Sequence, residues 1–191
     1  MSRLLKLTED CAHRRSIEMA TYPAGDDHIV SHGRLTDVRL KDYYKFTGER
    51  VDSGVLHDME IIMLLKTPRL IIEDVEVIIK TVPREDCLLM EQSLNPIIGM
   101  AVTGGFSAKA REIAGGKTGC THLVHLVTTM APAIIQGFWA YFFQKKPDMS
   151  IVKSGSAYYA AGLKDSCFTW REEGDAYQKL TKFIREMASE G

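Results

Sequence analysis

The amino-acid sequence predicts an α+β fold: an antiparallel β-sheet, a hairpin plus a meander, in the N-terminal half, packed against helices of the C-terminal half. Three observations predict it. Apolar residues recur at every second position over much of residues 13–82, the pattern of strands with one wet face. From about residue 88 to residue 190 the spacing changes to three and four, the pattern of helices. Turn-forming clusters separate the strand segments by only a few residues, as antiparallel pairing allows. With 191 residues, 45% apolar and 26% charged, and no internal repeat, the chain reads as one domain over residues 1–191.

The elements follow in order. Arg15, Ile17, Met19 and Thr21 alternate with smaller or polar neighbours and mark a strand, which Pro23-Ala24-Gly25-Asp26-Asp27 turns back. His28 to Leu40 is the return strand of that hairpin. Asp42 to Gly54, with Gly48, Asp52, Ser53 and Gly54, reads as a loop long enough to cover a site. Leu56 to Leu65 and Leu70 to Val82 are the clearest strands. Met59, Ile61, Met63 and Leu65 share one face of the first; Ile71, Val75, Val77 and Ile79 share one face of the second, with Asp74, Glu76 and Lys80 opposite. Asn95-Pro96 predicts a helix start, Gly104-Gly105 a break, and Phe106 to Ala114 a short helix closed by Gly115-Gly116. Leu123, Leu126, Val127, Met130 and Ile134 mark the next helix, which Pro132 should kink or split near Thr128. Ser150 to Gly162, small and polar, reads as a loop. Tyr177, Leu180, Phe183, Ile184 and Met187 make a closing amphipathic helix.

Composition excludes some functions. A formal net charge of -1 gives no electrostatic case for nucleic acid or an anionic membrane. Arg3, Lys6, Arg14 and Arg15 are interrupted by Glu9 and Asp10 and read as a solvated surface. No secretory leader pattern is visible, and the longest apolar stretch, Ile134 to Phe143, is too short to span a bilayer. The expected location is the cytoplasm, where the four cysteines, Cys11, Cys87, Cys120 and Cys167, would be free or ligating rather than disulfide-bonded.

The stretch that points to chemistry is Gly119-Cys120-Thr121-His122-Leu123, which follows Gly115-Gly116-Lys117-Thr118 and opens the apolar helix. A cysteine at a helix start meets unpaired N–H groups and the positive end of the helix dipole, and both favour the thiolate. Side chains two apart on a helix point about 200° apart, so Cys120 and His122 converge only if Cys120 sits at the cap or in the turn. His125, three residues on, reads as a surface or core histidine. His57-Asp58-Met59, at the head of a strand, offers either a ligand pair, a base with its carboxylate, or a polar strand entry. Cys87 follows the last strand. Cys167 reads as packed on Trp170, and Cys11 as incidental. No dinucleotide, Walker or G-x-S-x-G motif is present.

Taken together, His57-Asp58-Met59, the acidic strand around Asp74, Cys87, Gly119-Cys120-Thr121-His122-Leu123 and Cys167 resemble an uncharacterised bacterial family, domain of unknown function 2889, from about His13 to about Glu173. Where that pattern has histidine after the late cysteine, this chain has Phe168. More distantly, the order of elements resembles the U-type iron–sulfur cluster scaffold. That resemblance implies Asp58, Cys87 and Cys120 as ligands, with His57 or His122 as the fourth in place of a missing cysteine and a missing histidine. Such a set suits zinc or an iron–sulfur cluster. The leading expectation is therefore a soluble metal- or cluster-binding protein, with metal ligands His57, Asp58, Cys87, Cys120 and His122. The alternative is an enzyme using Cys120 as a thiolate nucleophile on a small acyl or aromatic substrate, with His122 or His57 as base. A non-catalytic module binding a small molecule or protein through its nine methionines and its aromatics is the third. Oligomeric state is not read from the chain.

Overall fold

The computed structural model describes residues 2–144, 146 and 149–189. Its strands are β1 (His13–Ala24), β2 (His28–Arg39), β3 (Tyr43–Tyr44), β4 (Arg50–Val51), β5 (Gly54–Lys66) and β6 (Ile71–Thr81). Its helices are α1 (Phe106–Ala114), α2 (Thr121–Phe142), α3 (Met149–Leu163) and α4 (Asp175–Ser189). Four strands form one antiparallel sheet in the order β1-β2-β5-β6, while β3 and β4 make a small hairpin of their own. This is the α+β fold expected, sheet first and helices after. The region read as a plain loop, Asp42 to Gly54, holds that extra hairpin, tied at its base by Arg50 and the Ser53 N–H donating to the Asp42 carboxylate.

The inner face of the sheet carries Ile29 and Leu35 of β2 and Met59, Ile61, Met63 and Leu65 of β5, all buried. Each contributes about 1.5–3 kcal/mol by leaving water. Helix α2 lies across this face, against β1, β2 and β5. It comes so close that a Cβ on Gly33 would stand 2.5 Å from the Met130 sulfur. At 22 residues α2 is long and apolar enough, by length and composition, to cross a bilayer; half of that window is buried in the protein, the situation of a core helix. The sequence reading had counted only its second half.

Four expectations change. On β6, a bulge at Glu73 (Leu64 pairs Asp74, Leu65 pairs Ile72) shifts the facing by one, so Ile72 rather than Ile71 enters the core beside Val75. Asn95-Pro96 opens a single 3₁₀ turn, Asn95–Ile97, not a helix. The residues beyond it turn along the edge of β6, where Ile72 N–H donates to Met100 O and Val102 N–H to Leu70 O, satisfying backbone groups an open edge would leave bare. Pro132 does not split α2. The Thr128 carbonyl that the proline leaves without its helical donor accepts the Ser107 hydroxyl of α1 at 3.5 Å. Ser150 to Gly162 is helical, as α3: its alanines and tyrosines favour helix once Tyr159 packs on Phe138 and Trp139. The closing amphipathic helix, expected over Tyr177 to Met187, is α4; residue 190, the end of the expected helical half, lies outside the described residues.

Candidate functional site

The site grows from one carboxylate. Asp37 lies near the end of β2 on the inner, helix-facing side and is 1% exposed. A carboxylate so placed has to be paired. The sheet register brings it two partners, Arg15 on β1 and His57 on β5. Arg15 grips it with a two-pronged contact, Nε to Oδ1 and Nη2 to Oδ2, both at 2.7 Å. His57 Nδ1 lies 3.0 Å from Oδ2, and His13 Nε2 lies 3.3 Å from Oδ1. Arg15 stays at the solvated edge expected of it, but its guanidinium is turned onto Asp37.

Strand alternation fixes which residue of the His57-Asp58 pair joins the site. Leu56 is an extra residue in β5, since the register passes from Asp37 opposite His57 to Val38 opposite Val55. From there His57 shares the face of Met59 and Ile61, and Asp58 takes the opposite face. Asp58 is held there by Arg34 at 2.8 Å through both oxygens, within an outer network in which Glu60 meets His32 and Lys80.

The helix side supplies the rest. Gly119 is fully extended, and a Cβ on it would collide with the Ala114 carbonyl oxygen. Glycine is needed there for the close passage from α1 into α2, which explains why no ligand side chain occupies that position. The passage sets half-buried Cys120 as the N-cap of α2, its carbonyl accepting the Val124 N–H. Cys120 and His122 therefore converge, as cap geometry required. The His122 ring stacks on His57 with centroids 3.8 Å apart. Its Nδ1 lies 3.9 Å from Cys120 Sγ and its Nε2 3.9 Å from Asp37 Oδ2. His125, three residues on along the same face, is exposed.

The electrostatics are set by burial and two arginines. Arg15 first, and His57 after it, hold the Asp37 carboxyl down at about 2, against the cost of burying its charge. Ionised Asp37 can only accept, so His57 Nδ1 carries the proton and its Nε2 keeps a lone pair. Burial pushes the His57 pKa below its ordinary value, outweighing Asp37, with Arg15 and Arg39 pushing the same way. Burial, then His57 and Arg15, do the same to His122. Arg39 lies over the Tyr43 ring at 3.5 Å, and its buried Nη1 has no hydrogen-bond partner among the described residues. The outcome is a charge-balanced Arg15–Asp37 pair flanked by two neutral imidazoles and a thiol.

Residues 13–136 match the family model described as Protein of unknown function (DUF2889). The chain belongs to this family. The DUF2889 span starts at the first residue of β1 and ends inside α2, so it contains Arg15, Asp37, His57, Cys120 and His122, and it excludes α3, α4 and Cys167. No curated protein and no solved structure matches the chain.

The ligand set implied by the iron–sulfur scaffold is not assembled in this DUF2889 member. Asp58 faces away from Cys120 and is taken by Arg34, and Cys87 sits in the 3₁₀ turn Glu85–Met90. Among the described residues the group that does converge is Asp37, His57 and His122, with ligand atoms within 4.8 Å of one another. Of the five residues expected as ligands, His57, His122 and Cys120 come together; Asp58 and Cys87 do not join them. Asp37, Arg15 and His13 were missed. Their signal was in the pattern: Arg15 stands in the apolar stripe with Ile17 and Met19, as Asp37 does with Ile29 and Leu35.

Proposed function

We propose that this DUF2889 protein is an enzyme that attacks a small acyl compound through Cys120, with His122 as general base and Asp37 as the group that orients it. The observation that carries the reading is the His122 imidazole, placed 3.9 Å from both the Cys120 thiol and the Asp37 carboxylate at the start of a 22-residue helix. Both contacts are about 1 Å longer than a catalytic hydrogen bond, a looseness usual before substrate arrives. His122 Nδ1 takes the thiol proton. The Cys120 sulfur then bonds to the acyl carbon as the carbonyl π pair moves to oxygen; that pair returns, the bond from carbon to the leaving group breaks, the imidazolium gives that group its proton, and water hydrolyses the thioester left behind. Depressed pKa values support this role, because a base must be neutral before it can accept. His57 holds the second ring in place by stacking and is itself fixed by Asp37.

A second reading has one observation in its favour, the three ligand atoms of Asp37, His57 and His122 within 4.8 Å. Zinc is the metal such a set would suit, as Lewis acid or structural ion. Against it, Arg15, His57 and His13 together already occupy both Asp37 oxygens.

Iodoacetamide alkylation of Cys120, followed by mass spectrometry from pH 5 to 10, tests the enzyme reading. Expected are fast alkylation of Cys120 at neutral pH, a slower rate in His122→Gln, and no change in Asp58→Asn. A free-thiol profile that His122→Gln leaves unaltered overturns it. Near-stoichiometric zinc or iron in the purified protein, lost in His57→Gln, establishes the metal reading instead.

A further inference from the structure

A cavity of about 280 Å³ opens at the other end of α2, between the β5–β6 turn, the Val102–Gly104 loop and α3. Phe138 and His122 are sixteen residues apart on α2, about 24 Å at 1.5 Å per residue, so this is a separate place from the Cys120 cluster. We propose that it is a binding site for a small carboxylic acid with an apolar body, aromatic or short alkyl, whose carboxylate meets Arg69.

The walls argue for the body. Trp139 and Tyr159 face each other at 4.8 Å, Phe138 and Tyr159 at 6.2 Å, and Leu70 and Ile135 complete the apolar lining. The two tyrosines bring no free hydroxyl into the cavity: Tyr158 donates to the Arg69 carbonyl at 3.3 Å and Tyr159 to the Pro68 carbonyl at 3.1 Å. With their polar ends used, the rings offer only faces and edges, which suit a flat or extended hydrocarbon. The volume lies just under the range of about 300–1,000 Å³ usual for ligand pockets, which limits the occupant to a small molecule.

The mouth argues for the carboxylate. Arg69 lines the cavity, is exposed, and has no ion-pair partner among the described residues, whereas other arginines lining the sheet, Arg15 and Arg34, are each paired with an aspartate. A free guanidinium beside an aromatic slot recognises a planar anion by paired hydrogen bonds. The aromatic lining, Phe138, Trp139, Tyr158 and Tyr159, lies beyond residue 136, past the end of the family match, while Arg69 lies within it.

Trp139 reports on occupancy directly. In a Trp170→Phe background, which leaves Trp139 as the single tryptophan, trans-cinnamate and octanoate are titrated against its fluorescence, with their methyl esters as uncharged probes. Expected is saturable quenching or a blue shift by at least one acid, with the better probe showing whether the body is aromatic or alkyl. Arg69→Gln should weaken the acid about tenfold and leave its ester unchanged. Gly162 lines the cavity with open space where its Cβ would go, so Gly162→Phe fills the slot without touching the core and should abolish the signal. Neither acid saturating, or Gly162→Phe binding as the parent does, overturns the site. Acid and ester binding equally in Arg69→Gln and in the parent overturns the carboxylate assignment.

Discussion

Replacing Asp37 with asparagine removes one charge from the centre of the cluster and keeps its shape. The carboxylate is 1% exposed and faces Arg15 twice at 2.7 Å and His57 at 3.0 Å. The amide leaves Arg15 without its counter-charge and turns one acceptor into a donor that faces donors. Two routes give the magnitude. The carboxyl titrates at about 2 in the fold against 3.8 when free, which by linkage is about 2 kcal/mol of stability at neutral pH. Breaking a buried pair costs about 3–5 kcal/mol, reduced here because the Arg15 side chain is 36% exposed and water takes up part of its charge. We expect Asp37→Asn to lose about 2–4 kcal/mol in urea unfolding at pH 7, a large share of the roughly 5–15 kcal/mol of a typical domain. The pH dependence gives an independent mark. A depressed carboxyl stabilises above 3.8 and loses that stability as pH falls through about 2, so the parent and variant curves should approach each other on the acid side. Arg15→Met leaves the opposite charge stranded, and the double variant should cost at least about 1 kcal/mol less than the sum of the singles. A loss under about 1 kcal/mol with an unchanged acid limb, or strict additivity, refutes the pairing.

Three further outcomes are expected. His57 and His122, both held below the ordinary 6.5, are neutral in the fold; their stabilisation is complete above 6.5 and declines as pH falls below it, and side-chain NMR titration should give both midpoints under 6.5. A midpoint at or above 6.5 for either ring contradicts their burial. Gly119→Ala drives a Cβ into the Ala114 carbonyl, so it should cost more than about 1 kcal/mol and alter the alkylation rate of Cys120 by moving the helix cap; a neutral alanine would show that the α1–α2 passage is looser than drawn. Gly33→Ala places a Cβ 2.5 Å from the Met130 sulfur and should lose about 1–3 kcal/mol by overpacking, partly recovered by Met130→Ala in the same chain, as thermal unfolding would report.

The sheet and the amphipathic helices were legible because period is local: Met59, Ile61, Met63 and Leu65 announce a face without reference to any partner strand. Bulges are not local. The extra residue at Glu73 exists only as a mismatch between two strands, and it turns Ile72 rather than Ile71 toward the core. Asp58 enters the expected ligand set through the scaffold resemblance alone; period two already sets it on the face opposite Met59 and away from the helix. Helix α3 was hidden because Gly155, Gly162 and its serines carry turn chemistry, while what holds it, Tyr159 against Trp139, lies across the fold. In the site, Cys120 and His122 were readable from a helix start. Asp37 and Arg15 were not, because a lone charge in an apolar stripe becomes a pair only when register sets it opposite another.

The arginine also decides what chemistry the cluster can support. A carboxylate alone beside two imidazoles would draw protons onto them and raise their pKa values, leaving cations unable to act as bases. Arg15 offsets that charge at 2.7 Å, the closest approach to Asp37 among the described residues, so the field at the rings is small and burial governs. Asp37 can then orient through its lone pairs without protonating what it orients. The same neutralisation weakens Asp37 as a metal ligand, since a guanidinium holds the oxygens a cation would need. One residue thus tilts the cluster from holding an ion toward moving a proton. Its place on β1, opposite Asp37 and in line with Ile17 and Met19, is fixed by the sheet register.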